Sequence, residues 1–147
     1  MVEEWKEMKK FGEWLIGHGI SCAEGNNMGY SDKIWEQRVG VILVHQAAEI
    51  LMKAYLVKKG EIVPGKYIRF LPMFDKINFS DVDKTKFEKF NRIRNKIYHQ
   101  SFQIPWDKNY EIQNFLEEFK KFYNKGFGEN LDYDRSRMNK KFKEIHK

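Results

Sequence analysis

A long apolar segment near the middle of the chain, from Val39 to Val57, does most to limit what this sequence can fold into. Polar side chains interrupt it at only four positions, namely His45, Gln46, Glu49 and Lys53. Because charged groups inside a bilayer are costly, these interruptions favour the buried helix of a soluble protein over a membrane-spanning segment. We therefore expect one long central helix against which the other elements pack.

Capping residues predict where this central helix begins and ends. Ser31 or Asp32 can accept hydrogen bonds from its first backbone N–H groups, and Gly60 after two lysines is a typical stop signal. The helix should therefore end at about Lys59. Its polar residues fall within a narrow arc at about 100° per residue, namely Arg38, His45, Gln46, Glu49 and Lys53.

Helical periodicity continues along the rest of the sequence until it fades after Gly128, and the whole chain contains only three prolines and ten glycines. We predict helices over about 3–16, 31–59, 70–77, 83–101 and 107–123, with a loop where glycines cluster between Gly17 and Gly29. The sequence shows no strand-like alternation of any length. The predicted fold is therefore all-α, an antiparallel up-and-down bundle of four main helices plus short extra helices.

Length and composition indicate a single domain over residues 1–147, with residues 126–147 forming a basic C-terminal helix or tail. A net charge of +6 favours polyanionic partners, although a basic protein need not bind nucleic acid. Cys22 is the only cysteine, so no internal disulfide can form, and the charged N-terminus lacks an apolar signal segment. We therefore expect a cytoplasmic protein with no membrane partner.

A cluster of groups able to bind phosphate and move a proton lies near the end of the fourth predicted helix. It runs from Arg92 to His99 and reads Arg-Ile-Arg-Asn-Lys-Ile-Tyr-His. At about 100° per residue, the core side of this helix carries Phe90, Ile93, Ile97 and Ile104. The polar face opposite carries Arg92, Asn95, Lys96 and His99.

Arg94 lies roughly 140° around the helix from His99 and borders the apolar face, with Tyr98 between the two faces. An arginine so near the core needs a partner, because an unpaired buried charge is very costly. Glu49, on the polar stripe of the central helix, is the best candidate within the chain. The simplest interpretation of the cluster is a structural ion pair between Arg94 and Glu49 beside a solvated basic face.

Two segments of the sequence resemble the HEPN superfamily, named for higher eukaryotic and prokaryotic nucleotide-binding proteins. Arg94-Asn95-x-x-x-His99 has the R-N-x-x-x-H form of its signature, and Arg92 with His99 has the longer spacing that the family allows. The run HQAAEILMKAYL, from His45 to Leu56, resembles the Q-A-x-E-x-x-L-K-A-x-L run on the second helix of such domains. The resemblance covers roughly residues 5–122 and agrees with an all-α fold.

The resemblance implies a metal-independent endoribonuclease in many members of the family, and no cofactor is expected. Arg94 and His99 would be catalytic. His99 would exchange a proton with the ribose 2′-hydroxyl or the leaving 5′-oxygen, and Arg94 would grip the phosphate. Supporting or substrate-binding side chains would be Arg92, Asn95, Lys96 and Tyr98, and those holding the site in place would be His45, Glu49 and Lys53.

Arg94 and His99 point in different directions, so one helix does not bring them together. Family members solve this by pairing two copies across a shared cleft, and we expect a homodimer here. RNA would be the substrate in a toxin, phage-defence or RNA-processing role, and a nucleotidyltransferase antitoxin is a further candidate partner. Such toxins often carry a tyrosine two residues after the histidine. Ser101 stands there instead, so regulation by modification of that position is not expected.

Two other interpretations stay open from the sequence. Some HEPN proteins are non-catalytic and bind nucleotides or partner nucleotidyltransferases, and their second helix has the same pattern. Alternatively, the chain is a plain helical scaffold in which Arg94 is only salt-bridged. His45 and Glu49 are spaced like a pair of metal ligands, but no matching pair stands on another helix, so no metal site is predicted.

Overall fold

Five α-helices make up the structure, a computed structural model that describes residues 3–24, 33–100 and 109–131. They are α1 (Glu4–Ala23), α2 (Lys33–Lys58), α3 (Phe70–Ile77), α4 (Lys84–Gln100) and α5 (Asn109–Phe127). These ranges contain no strand, which confirms the predicted all-α class. The up-and-down bundle arrangement stays a prediction.

α1 is longer than predicted, because it continues past Ile16 to Ala23. Gly17 and Gly19, which suggested a loop, are buried positions within this helix, whereas Gly25 and Gly29 lie outside the described residues. A Cβ atom on Gly19 would lie 2.9 Å from the backbone nitrogen of Val44, and one on Gly40 would lie 2.3 Å from the backbone nitrogen of Ala23. Such distances leave no room for a methyl group, so α1 and α2 approach each other through glycine.

α1 and α2 run antiparallel, as their contacts show. From the start to the end of α1 the facing pairs are Gly12 with Leu51, Gly19 with Val44, and Ala23 with Gly40. The predicted caps of α2, Ser31 and Asp32, lie outside the described residues.

α2 ends where the sequence predicts. Its last helical residue is Lys58, and Gly60 has a left-handed backbone with φ of 73°. The N–H of Gly60 donates to the carbonyl of Val57 at 3.0 Å, and the N–H of Glu61 donates to that of Leu56 at 2.9 Å. This pair of bonds is the Schellman motif, which satisfies carbonyls that the end of a helix leaves without partners.

The apolar part of α2 lies inside the structure. Within the described residues, Trp35–Lys58 is long and apolar enough to cross a membrane by length and composition alone, and 61% of its most apolar window is buried against the rest of the chain. Fully buried positions along it include Val44, Ala47, Ala48, Leu51 and Met52. α2 is therefore the core helix that the sequence predicts.

Phenylalanines from α3, α4 and α5 form an aromatic core beside α2. The rings of Phe90 and Phe115 stack with centroids 4.2 Å apart, and Phe87 meets Phe115 edge-on at 4.9 Å. Phe74 of α3 lies 4.6 Å from Phe87. Because buried aromatic pairs contribute about 0.5–1.5 kcal/mol each beyond their burial, this core fixes the position of α4.

Asp83 caps α4, since its Oδ1 accepts a hydrogen bond from the backbone N–H of Thr85 at 2.9 Å. The helix then runs from Lys84 to Gln100, close to the predicted bounds. Ser101, its predicted last residue, lies outside the described part of the chain.

α5 is longer than predicted, because it continues past Tyr123 to Phe127. Gly126 allows this: a Cβ atom there would lie 2.9 Å from the ring of Tyr55 on α2. Gly128, with φ of 71°, follows the helix end. Residues 126 and 127 therefore belong to α5 and not to a basic tail, while residues 132–147 of that predicted tail lie outside the described residues.

Candidate functional site at the α2–α4 junction

The residues predicted to form a site lie on the C-terminal half of α4. Phe90 and Ile97 are buried on the core side of this helix, as the periodicity predicts, while Ile104 lies outside the described residues. The polar face is open to solvent: Asn95 is partly buried, and the exposed side chains are Arg92, Lys96, Tyr98 and His99.

Arg94 turns away from that face and reaches α2. Its Nη2 lies 3.4 Å from Oε1 of Glu49, and the two side chains are 24% and 25% exposed. The predicted partner of Arg94 is therefore confirmed. Since neither group is fully buried, the pair lies at the edge of the core, where a ligand can still reach it.

The buried centre of this junction is His45, which is only 1% exposed. Its Nε2 lies 2.9 Å from Oδ1 of Asn91 on α4. Its Nδ1 lies 3.4 Å from Nε of Arg94 and 3.3 Å from Oε1 of Glu49. The ring also packs against Phe70, with centroids 4.1 Å apart. His45 therefore joins α2, α3 and α4 through one side chain.

The Nδ1 atom of His45 faces one hydrogen-bond donor, Nε–H of Arg94, and one acceptor, the carboxylate of Glu49. When Nδ1 is unprotonated it accepts the Nε–H of Arg94, and when protonated it donates to the carboxylate of Glu49. In both states Nε2–H can donate to the amide oxygen of Asn91. The ring therefore binds the guanidinium in its neutral form and the carboxylate in its charged form.

Glu49 is the acidic member of this network, and its neighbours keep it ionised. Burial alone would raise its pKa, but the hydrogen bond with His45 and the charges of His45, Arg94 and Lys53 outweigh burial and lower the pKa below its ordinary value. At neutral pH the carboxylate therefore carries a full charge that orients the guanidinium of Arg94.

Tyr98 connects Arg94 to His99. The guanidinium carbon of Arg94 lies 5.8 Å from the centre of the Tyr98 ring, and the His99 ring meets that ring edge-on at 5.0 Å. Arg94 nevertheless packs towards α2 while His99 is exposed to solvent. A single copy of α4 therefore presents the two predicted catalytic groups in different directions.

Two residues of this surface were missed by the sequence prediction. Asn91 stands three residues before Arg94, so helical spacing already placed both on one face of α4. Tyr67 lies on the loop before α3, is 78% exposed, and has the Nζ of Lys53 5.7 Å from its ring centre. No periodicity could have indicated Tyr67, because loops carry none.

His45 and Glu49, which have the spacing of metal ligands, bind each other and Arg94. Across residues 3–24, 33–100 and 109–131, no group of three or more His, Cys, Asp or Glu side chains is placed to hold a metal ion. Comparisons of the chain with models of protein families, with curated proteins and with solved structures give no match.

Proposed function

We propose that this chain is a HEPN-type endoribonuclease that cleaves RNA through attack of a ribose 2′-hydroxyl on the neighbouring phosphorus. The observation that carries the proposal is the arrangement around Arg94. Its guanidinium is oriented by Glu49 and His45 at the edge of the core, and Tyr98 connects it to the exposed His99. An oriented cation and an exposed imidazole are the two groups that this chemistry needs, and a second copy of the chain would bring them to the same phosphate.

The described contacts of Arg94 leave part of its guanidinium available to a phosphate. Nη2 faces Glu49 and Nε faces His45, whereas the described residues place no hydrogen-bond acceptor on Nη1. The two N–H groups of Nη1 can therefore donate to the non-bridging oxygens of a phosphate, where negative charge grows during the reaction. Arg94 would thus stabilise the transition state without leaving its ion pair.

His99 would supply the proton transfers. An imidazole takes the proton from the 2′-hydroxyl as the new bond from O2′ to phosphorus forms. The bond from phosphorus to O5′ then breaks, and the leaving oxygen receives a proton from an imidazole. The products are a 2′,3′-cyclic phosphate and a 5′-hydroxyl end, and these steps require no redox change and no cofactor.

Two copies of the chain would share one cleft in this proposal. Since Arg94 and His99 point in different directions on one α4, an isologous homodimer can place Arg94 of one copy opposite His99 of the other. Arg92, Asn95 and Lys96 would then border the cleft and bind phosphates or orient the imidazole. A toxin, phage-defence or RNA-processing role fits this activity, and a nucleotidyltransferase antitoxin would be a partner in the first case.

Cleavage of labelled single-stranded RNA in the presence of EDTA tests the activity. We expect the unmodified chain to cleave it and both Arg94→Ala and His99→Ala to lose activity by 100-fold or more, on the order of what general acid–base catalysis contributes. Lys10→Ala on α1 is the control, since it removes one positive charge, as Arg94→Ala does, but at an exposed position outside this site. Equal background cleavage in all four proteins would overturn the proposal.

Mixing the two inactive variants tests the shared cleft. If one copy supplies Arg94 and the other supplies His99, roughly half of all dimers are mixed, and each mixed dimer contains one intact site of two. The mixture should therefore regain roughly a quarter of the original activity. A site formed within one copy would regain none. Measuring the molecular mass in solution at micromolar concentration gives an independent check, and a monomer would exclude the shared cleft.

One observation favours a second candidate function, a non-catalytic module that binds a nucleotide or a partner nucleotidyltransferase. Arg94 is already engaged by Glu49 and His45, as expected for a structural ion pair. In that case RNA would stay intact, while binding of a nucleotide would still depend on exposed cations such as Lys96. Calorimetric titration of ATP or AMP into the chain and into Lys96→Ala would show this binding.

A further inference from the structure

Two exposed tyrosines stand at opposite ends of the α2–α4 network. Tyr67 is 78% exposed and Tyr98 is 65% exposed, although large aromatic side chains usually contribute their area to the core. Each has a cation beside its ring: Lys53 lies 5.7 Å from the ring centre of Tyr67, and Arg94 lies 5.8 Å from that of Tyr98. Each of the two exposed tyrosine rings is therefore paired with one cation.

Glu49 connects these two pairs into one surface. It lies 3.4 Å from Arg94, and it precedes Lys53 by four residues, or one turn, on α2. The charge of Lys53 is among those that lower the pKa of Glu49, so the two groups interact. We call this surface the stacking strip: Tyr67, Lys53, Glu49, Arg94 and Tyr98.

We propose that the stacking strip binds unpaired RNA bases on Tyr67 and Tyr98 while Lys53 and Arg94 contact the phosphates between them. This proposal rests on the proposed function and specifies its substrate class. Every base has a π-face, so aromatic side chains beside cations form a platform that binds single strands with little sequence preference.

The same chemistry disfavours double-stranded RNA. In a duplex the bases are stacked on each other, and their faces cannot reach an exposed side chain. The negative charge of Glu49 repels phosphate at the middle of the strip. Phosphates of the bound strand should therefore contact Lys53 and Arg94, on either side of Glu49. The substrate of the strip is therefore a single-stranded segment or loop with unstacked bases.

Fluorescence anisotropy with a labelled single-stranded RNA oligonucleotide tests the strip directly. The measurement uses the His99→Ala chain, in which the RNA stays intact, and adds Tyr67→Ala, Tyr67→Phe or Tyr98→Ala. Loss of one stacking ring should raise the Kd roughly 5- to 140-fold, whereas Tyr67→Phe should stay within about twofold because it keeps the ring. Val63→Ala, a change at an exposed apolar residue of the same loop, should have no effect.

An abasic oligonucleotide of the same length separates stacking from phosphate contacts. It should bind equally to the His99→Ala chain with and without Tyr67→Ala, because it has no base that could stack on Tyr67. Lys53→Gln should weaken both probes alike and lower the dependence of binding on salt. An unlabelled RNA duplex should compete poorly.

Three results would overturn the stacking proposal. They are no saturable binding of the oligonucleotide, unchanged affinity in Tyr67→Ala, or an equal loss of affinity for the normal and the abasic oligonucleotide in Tyr67→Ala. The cleavage assay tests the proposed function separately, so failure of the stacking strip can be told apart from failure of the enzyme. Cleavage that depends on His99, with binding that does not depend on Tyr67, would refute the strip and leave the enzyme. Binding that depends on Tyr67, without cleavage, would support the strip and refute the enzyme.

Discussion

Glu49→Gln tests the α2–α4 network by removing one charge and little else. Glutamine keeps the length of the side chain and an oxygen that accepts hydrogen bonds. It removes the negative charge that faces Arg94 at 3.4 Å. Any change in stability therefore reports the electrostatic part of the interactions of Glu49 with Arg94, His45 and Lys53 together.

The exposure of the two side chains sets the expected magnitude. Exposed ion pairs contribute about 0.2–1 kcal/mol, and breaking a fully buried pair costs about 3–5 kcal/mol. Arg94 and Glu49 are about a quarter exposed, which places them between these limits. We expect Glu49→Gln to lower the free energy of unfolding by about 1–2 kcal/mol at pH 7, with a fall in Tm of roughly 3–8 °C.

The lowered pKa of Glu49 adds a pH dependence with a definite sign. Burial alone would raise this pKa, but the hydrogen bond with His45 and the nearby positive charges lower it. A carboxyl group with a lowered pKa stabilises the fold at pH values above its unfolded pKa, and this stabilisation is lost as the pH falls through the folded pKa. The difference between the two proteins should therefore be complete at pH 7 and fade below about pH 4.5.

Urea unfolding of a double-mutant cycle at pH 7 and at low pH measures this effect. The cycle combines Glu49→Gln with Arg94→Met, and we expect a coupling energy of about 1 kcal/mol at pH 7. Glu7→Gln is the matched control, since its partner Lys10 is 3.7 Å away and both side chains are mostly exposed. A coupling below about 0.3 kcal/mol, or one that persists unchanged at low pH, would refute an electrostatic network.

Three further changes test the close approach of α1 and α2, the contacts of His45 and the ion pairs of Lys9. Gly40→Ala should destabilise the fold by about 1–3 kcal/mol in urea unfolding, because its Cβ would lie 2.3 Å from the backbone of α1; a gain in stability would contradict the close approach. His45→Phe should cost about 1–3 kcal/mol in the same assay, since it keeps an aromatic ring but leaves polar partners unsatisfied. Burial lowers the pKa of Lys9, but Glu129 and Glu13 outweigh burial and raise this pKa above its ordinary value. Lys9→Met should therefore lower the free energy of unfolding at pH values below 10.5, and the difference should fade as the pH rises further.

The sequence predicted the helices well where local rules decide their limits. α3 spans Phe70 to Ile77 as expected, and Gly60 ends α2, because capping and periodicity act within a few residues. The same rules misplaced the end of α1. Gly19 was interpreted as a helix breaker, whereas its missing side chain makes room for α2. That role depends on a partner helix and cannot be inferred from local sequence.

Charge gave the most reliable information about the candidate site. Arg94 borders an apolar face and Glu49 interrupts an apolar helix, so each needed a partner and the pairing followed. By contrast, the contact between His45 and Asn91 and the exposure of Tyr67 depend on how α2, α4 and a loop meet. The requirement that a buried charge has an oppositely charged partner predicts ion pairs. It does not predict which uncharged side chains contact those pairs.

The ion pair also bears on whether one copy or two would form the proposed catalytic centre. To meet His99 of its own helix on one phosphate, Arg94 would have to leave Glu49 and His45, which costs about 1–2 kcal/mol by the estimate above. In the proposed homodimer, a His99 supplied by a second copy would meet an Arg94 that stays in place, so no contact would be broken. Preorganisation therefore favours the shared cleft. Glu49→Gln should then reduce cleavage in the dimer, because it releases the guanidinium; a site formed within one chain would gain activity from the same change.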